Sequence, residues 1–400
     1  MIPLPQLKKS VEEGLAFLRA QEDVEEAEVF VASNGILLTR LNYTSHIPCN
    51  GVEEPKSTEN YGIGAQVVFH AMEGHPRKMG FGSETSDISL EGVRSALDKA
   101  RKGAISDPEF TTLARPTGEK RTLDRYHDPK LMDTKDGDLA EAGWRVVNGA
   151  LRVFQTSESL GNLVERPENL PQLGLIVSGD VTILAERIAI ASFAMPEVQT
   201  DESSGIMTFI TSMVEREESK GSGFGASTTL SGFTEEPGRE AAHAAIAGVG
   251  GIRMPTGDYR VIFGREASME LLHYLIMPGL QTGMFYAAGS QFMGKLGQQV
   301  ASEKLTIIDD GAAKGLVGSK GITCEGLPTG RTELIKNGRL VGLLSNYYES
   351  QRIQNDPNAK EKLGVTPQSG SRRSCRGTGF GSLAVAAGTL TLSPGSTRRT

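Results

Sequence analysis

The chain reads as an α+β protein of three parts, in which long antiparallel sheets are flanked by helices. Two observations point there. Stretches of helical period stand apart from long apolar, β-branched runs bounded by turn residues. Strands and helices show no regular βαβ alternation of the kind a parallel sheet requires. Four hundred residues exceed one compact core of ordinary size, and 38% apolar with 23% charged residues is the composition of a soluble globular protein.

The elements follow in order. Residues 6–21 place Val11, Leu15 and Leu18 on one helical face, with a Ser10–Glu13 capping box as the start signal. Residues 27–33 and 36–44 read as strands joined by a two-residue turn at Asn34-Gly35. Residues 61–70 and 78–82 make a second strand pair around Glu73-Gly74, and 88–102 a helix along Leu90, Val93, Leu97 and Ala100 that closes at Gly103. Residues 106–130, with Pro108 and Pro116, read as a linker. Beyond it, Leu139, Val146, Val147, Ala150 and Phe154 mark a long helix. Strands follow at 173–178, 181–193, 205–215 and about 222–232, with Gly179-Asp180 as the first turn, and then a short helix at 237–248. The last part has a strand at 258–263, a helix at 265–277, a strand at 305–308 and a hairpin of 331–336 with 340–344 around Asn337-Gly338. The expected division is 1–105, a linker 106–130, 131–250, 251–365 and an atypical tail 366–400.

Bulk properties narrow the function. A net charge of −7 is the wrong sign for a generic nucleic-acid binder. No stretch approaches the apolar length of a membrane span, and the N-terminus lacks the apolar core of a signal peptide. Cys49, Cys324 and Cys375 are odd in number and widely spaced, which suits a reducing compartment and a cytoplasmic location.

Candidate chemical motifs are weak one by one. Gly289 to Leu296 nearly spells a phosphate loop, but Leu296 stands where the magnesium-binding hydroxyl belongs. Gly221-Ser222-Gly223-Phe224-Gly225 lies between strands, so a closely packed strand is the better reading. Asp309 and Asp310 follow a strand and point to opposite sides, which suggests a solvated turn. His70 and His75 flank a turn. Asp133, Asp136 and Asp138 lack calcium-loop spacing. The Asn42-Tyr43-Thr44 sequon has no role in a cytosolic protein, and Cys324 has no activating neighbour in sequence.

The most informative segment is Leu271-Leu272-His273-Tyr274-Leu275-Ile276-Met277-Pro278, set between Pro255-Thr256-Gly257-Asp258-Tyr259-Arg260-Val261-Ile262-Phe263 and Gly294-Lys295-Leu296-Gly297. With Asn337-Gly338-Arg339-Leu340 and Tyr347-Tyr348, this order and spacing resembles the TldD/PmbA family, over about residues 25–365. The resemblance implies the family's three-part fold. In its TldD-like branch it also implies His-Glu-x-x-x-His on this helix, completed by a cysteine from the C-terminal region; the PmbA-like (TldE-like) branch lacks that motif. Here His273 keeps the first position, Tyr274 replaces the glutamate and Pro278 the second histidine. Zinc hydrolysis needs about three ligands and a carboxylate base. Tyrosine is a poor base at neutral pH, with an unperturbed pKa near ~10, and proline ligates nothing.

His273 is therefore expected on or near the core face beside Leu272 and Ile276, with a relic substrate-binding role as the alternative. No catalytic, cofactor-binding or metal-ligating residue is assigned, and no cofactor. The implied function is a PmbA-like subunit of a TldD/PmbA-type metallopeptidase acting on unfolded or small modified peptides. Its partners would be a TldD-like metal-bearing subunit and a peptide substrate, with a homo-oligomer as a further option, and without direct nucleic-acid or membrane contact. An independent metallopeptidase with dispersed ligands, and a regulator of DNA gyrase acting through protein contacts, are the alternatives. Residues 366–400 carry no acidic residue and depart from the family pattern. They are expected to be a truncated or frame-shifted ending that leaves the C-terminal sheet incomplete, with a natural disordered basic tail as the alternative.

Overall fold

The computed structural model describes residues 1–47, 51–72, 76–116, 127–195, 197–311, 313 and 315–364, with the backbone of 375–376 and 390–392. Cys49, the Glu73-Gly74 turn, His75, part of the 106–130 segment and most of the 366–400 tail lie outside the described residues.

Helix α1 (Leu4–Arg19) buries Leu7, Val11, Leu15 and Leu18. It begins behind Pro3, ahead of the expected start, because a proline's missing N–H costs nothing at a helix entrance. Ser10, read from sequence as a cap, is a buried residue inside the helix. Strand β1 (Val24–Thr44) follows, then β2 (Gly51–Val52), β3 (Lys56–Phe69), β4 (Lys78–Thr85) and α2 (Leu90–Gly103). Helix α2 is capped by Ser89, whose hydroxyl accepts the Glu91 N–H.

The 106–116 stretch is held in place rather than trailing free. Glu26 accepts hydrogen bonds from the Thr112 hydroxyl at 2.7 Å and the Leu113 N–H at 3.1 Å, and Arg77 bridges Glu25 and Glu26 at 3.0 and 3.1 Å.

Next come α3 (Pro129–Met132), α4 (Asp136–Gln155), α5 (Glu158–Gly161), β5 (Leu175–Ser192), β6 (Gln199–Val214), β7 (Ser219–Ser227) and α6 (Glu236–Ala247). All seven strands named so far make one antiparallel sheet, in the order β4-β3-β1-β5-β6-β7 with β2 paired beside β1. Its seam is β1 against β5, in unbroken register from Glu28 opposite Ser192 to Thr44 opposite Ile176.

This pairing overrides two turns expected from sequence. Asn34-Gly35 lies mid-strand without the positive φ that a tight hairpin needs at both positions, and Asn34 instead bonds Asn60 across the β1–β3 pair at 3.2 Å. Gly179-Asp180 is likewise inside β5. There Asp180 faces Arg40 across the β1–β5 pair at 3.4 Å, and a side chain on Gly179 would collide with the Phe209 carbonyl.

Because side chains alternate along a strand, the sheet has two distinct faces. Ala27, Val29 and Val31 of β1 join α1 and α2 in one core, while Leu41 joins Val177, Ile183 and Ile210 under α4 and α6 in another. All four helices therefore cover the same face. The second face carries Phe30, Ala32, Ile188 and Ile190, which pack on Ile322 from the last third of the chain.

That third contains α7 (Arg265–Leu271), a π-helical turn (Leu272–Ile276), α8 (Met277–Gly279), α9 (Thr282–Tyr286), β8 (Ile307–Asp310), β9 (Arg331–Lys336), β10 (Arg339–Leu340), β11 (Leu343–Leu344), α10 (Tyr347–Asn355) and α11 (Ala359–Leu363). Two short pieces, β12 (Cys375–Arg376) and β13 (Leu390–Leu392), pair with β11 and β8. The β9–β10 hairpin turns at Asn337-Gly338 with φ of 47° and 74°, the left-handed pair its sequence predicts. The expected strand at 258–263 is irregular and exposed, with Ile262 90% accessible. A strand persists only where a neighbour takes up its backbone groups, and none among the described residues does so here.

Helices α4 and α6 cross closely because Gly238 leaves no side chain against the Val146 carbonyl. Gly238→Ala should cost ~2 kcal/mol or more by overpacking against backbone. Gly143→Ala meets only side-chain methyls of Leu41, Val52 and Thr39 at 3.0–3.2 Å. It should stay within about 1 kcal/mol, helped by the better helix propensity of alanine. Urea denaturation of the two variants checks the difference.

Candidate functional site

The helix at 265–279 is placed by charge and by one apolar anchor. Arg265 donates to the Phe224 carbonyl at 3.0 Å and pairs with Glu240 at 2.7 Å, which fixes the start of α7 on β7 and α6. Ser222 donates to Glu266 at 3.2 Å. Farther along, Leu272 is buried in the third core with Leu280, Phe285 and Leu344. The end of the segment is pinned where the Leu344 N–H donates to the Leu280 carbonyl at 2.8 Å and the Thr282 hydroxyl to the Leu344 carbonyl at 3.0 Å.

Between these anchors the helix widens. The Met277 N–H bonds back to the Leu272 carbonyl, a π-type i to i−5 link. Pro278 gives a physical reason. In an α-helix its ring would press on the Tyr274 carbonyl and leave that carbonyl without a donor. The widened turn absorbs the mismatch, so the chain passes through Pro278 into α8 without the break expected of a helix-interior proline.

The widening also changes which residues share a side. Positions 273 and 278 are five apart, which on an α-helix is about 140° around the axis. A π turn closes residue i onto i+5 and brings both to one side. The link observed here joins 272 to 277, and the side chains at 273 and 278, a histidine and a proline, make no ligand pair. His273 is exposed, contrary to the core-face expectation, and its ring stands edge-on to Tyr274 at 4.8 Å and 82°. Leu272 takes the inward direction instead. A histidine, a tyrosine and a proline do not make a zinc donor set, and among the described residues no three His, Cys, Asp or Glu side chains gather as metal ligands.

The other candidates disperse over the fold. In the phosphate-loop-like segment, Ser290 donates to the Gly279 carbonyl and accepts the Phe292 N–H, while Lys295 donates to the Gln291 carbonyl at 2.9 Å. The segment is a turn closed on itself. Gly221 and Gly223 lie in β7 where any side chain would strike the α6 backbone, which explains the glycines by packing. Asp309 and Asp310 are inside β8 and not in a solvated turn. Asp309 is only 5% exposed, and burial, with Asp310 adjacent, pushes its carboxyl up to about 6. Asp136 and Asp138 occupy the first turn of α4, where negative charge suits the helix dipole. His70 lies 3.9 Å from Glu25, and Asn42-Tyr43-Thr44 runs along β1.

Sequence reading missed one cluster. Glu28 on β1 and Glu325 are both half-buried, and burial pushes their carboxyls up to about 8 and about 7. Cys324 beside them is pushed up to about 12 by burial and by the two carboxylates, so it remains a thiol. The alternation along β1 places Glu28 on the face away from the helices. Nothing local reveals that a loop some three hundred residues later covers it.

Residues 256–384 match the PmbA/TldA metallopeptidase C-terminal domain. A metalloprotease TldD homolog of Haemophilus influenzae is 34% identical over 108 residues, which are 27% of this chain and 22% of that protein. Another, from Buchnera aphidicola, is 25% identical over 343 residues, 79% of this chain and 65% of the relative. This chain thus aligns with less than two thirds of either relative. TldE of Thermococcus kodakarensis superposes with a TM-score of 0.64 at 16% identity, covering 89% of this chain and 73% of that one. A Bacteroides thetaiotaomicron structure described as a modulator of DNA gyrase gives 0.69 at 15% identity, covering 89% and 76%. At these identities the two structures speak for the fold. Residues 256–384 thus carry a domain of the PmbA/TldA type, and over the greater part of its length the chain resembles TldD homologs in sequence and TldE-like structures in fold.

Replacing Leu272 by alanine should cost ~2–4 kcal/mol, since it removes a buried anchor from the third core. His273→Ala should change stability by less than ~0.5 kcal/mol, as expected of an exposed residue. Chemical denaturation monitored in the third core separates the two.

Proposed function

We propose that this chain is a PmbA-like, non-catalytic subunit of a TldD/PmbA-type metallopeptidase that degrades or trims unfolded or small modified peptides. One observation carries the reading. The helix that resembles the family's motif segment carries His273 at the first ligand position but presents Tyr274 and Pro278 where base and second ligand would stand. The resemblance to TldE in fold and to TldD homologs in sequence supports a TldD-like partner that supplies the metal. A subunit without metal still contributes, because binding an extended peptide and excluding folded protein depend on the walls of a site. Among the described residues no helix is long and apolar enough to cross a membrane. The reading places the complex in the cytoplasm.

The chain purified alone should hydrolyse no peptide and hold no stoichiometric zinc, measured by peptide turnover and elemental analysis. Tyr274→Glu with Pro278→His should not restore turnover, since a third ligand would still be missing. Robust activity from that pair of changes would show the ligand set already present and overturn the reading. Co-expression with a homologue bearing His-Glu-x-x-x-His should give a stable complex, and failure to form one would defeat the subunit assignment.

A further inference from the structure

The segment from Tyr259 to Leu275 joins an uncovered extended run to an uncovered helix side. Tyr259, Val261, Ile262 and Phe263 are all exposed in the irregular run before α7. The helix that follows is apolar on two sides. Leu272 enters the third core and Ile276 packs against it, while Met269, Leu271, Tyr274 and Leu275 stand open, Tyr274 71% and Leu275 62% exposed. A helix apolar all round belongs in a buried setting, and among the described residues this one is covered on one side only. Run and helix are tied together by Ser268, which donates its hydroxyl to the Phe263 carbonyl at 3.4 Å and its N–H to the Gly264 carbonyl at 3.0 Å.

Area, backbone and charge say what fits there. The open surface of these residues, on the order of 800 Å², is one partner's share of a standard protein interface and exceeds the largest apolar patch of a typical monomer, about 300–600 Å². The backbone N–H groups of 258–263 find no acceptor among the described residues. A strand-like run satisfies such groups when it lies antiparallel to its own copy across a two-fold axis. The charges of the segment nearly cancel. Asp258 and Arg260 flank Tyr259, and Arg265 and Glu266 are already engaged by Glu240 and Ser222. A second copy therefore meets no net repulsion, whereas a lipid surface would call for clustered lysine and arginine, which the segment lacks.

We infer that this face is an isologous interface between two copies of the chain, in which the 259–263 runs and the open sides of the two helices lie against each other. The inference concerns the chain by itself and does not rest on the subunit reading. The Arg265 and Leu272 anchors hold the face in place within a single copy, so association needs no prior folding of the helix. Each copy covers the other's Ile262 and Tyr274. The pair closes on itself, because an isologous contact uses each face once.

Sedimentation equilibrium of the full chain over a wide range of concentration tests the inference. It should show a dimer and no larger species. Ile262→Asp and Tyr274→Asp should each raise the dimer dissociation constant by ~tenfold or more, since each buries a charge without a partner. Circular dichroism of both variants should be unchanged, because both positions are exposed in the single chain. Phe81→Asp puts the same charge on an exposed apolar residue of β4, at the opposite edge of the sheet from the strand that holds α7, and should leave the dimer intact. If Ile262→Asp fails to fold, Tyr274→Asp decides. A chain that stays monomeric throughout, open-ended aggregates in place of a dimer, or a dimer that survives both folded variants would overturn the inference, and so would a dimer lost equally in folded Phe81→Asp.

Discussion

The rest of the structure depends on the antiparallel pairing of β1 with β5. It joins strands from the first hundred residues to strands from the second hundred, and so turns two sequence units into one sheet. The seam sets the alternation for every other strand. Once Val29 and Val31 face α1 and α2, the register commits Leu41, Val177 and Ile183 to the same face under α4 and α6. A slip of one residue would turn the side chains of the slipped strand to the second face, away from the helices. The seam also fixes the second face, where Glu28, Phe30 and Ile190 wait for the loop from the last third of the chain.

The helix at 265–279 shows how backbone and side-chain chemistry can part company. The anchors Arg265 and Leu272 act on the scaffold alone, and they hold the helix whatever stands at 273, 274 and 278. The π turn belongs to that scaffold. It accommodates Pro278 without a break in the chain between the anchors on either side.

Much of this was legible in the residues. The apolar stripes of α1, α2, α4 and α6 gave the helices because their period reports burial directly. Asn337-Gly338 gave a hairpin because β9 ends at Lys336 and β10 begins at Arg339, so no longer strand pairing runs through the turn. Asn34-Gly35, with the same local propensity, did not, because pairing with β3 and β5 along the whole of β1 outweighs one turn. The 258–263 run has strand composition but no neighbour among the described residues, and composition cannot supply one. At the site, letters alone told that Tyr274 and Pro278 are not ligands. They could not tell that His273 faces outward, since that depends on the widened turn, nor that Glu28 is covered, since that depends on a contact far away in sequence.

The seam also governs when folding can happen. Strand β1 ends at Thr44 and β5 begins at Leu175, so the partner of β1 leaves the ribosome on the order of ten seconds later at ordinary rates of synthesis. During that interval β1 has β3 and the short β2 on one side, and the edge destined for β5 offers a long row of unpaired backbone groups. The first hundred residues are therefore not a unit that can finish early. Until β5 arrives, that open edge is a template on which another extended chain can pair, and only the arrival of β5 closes it.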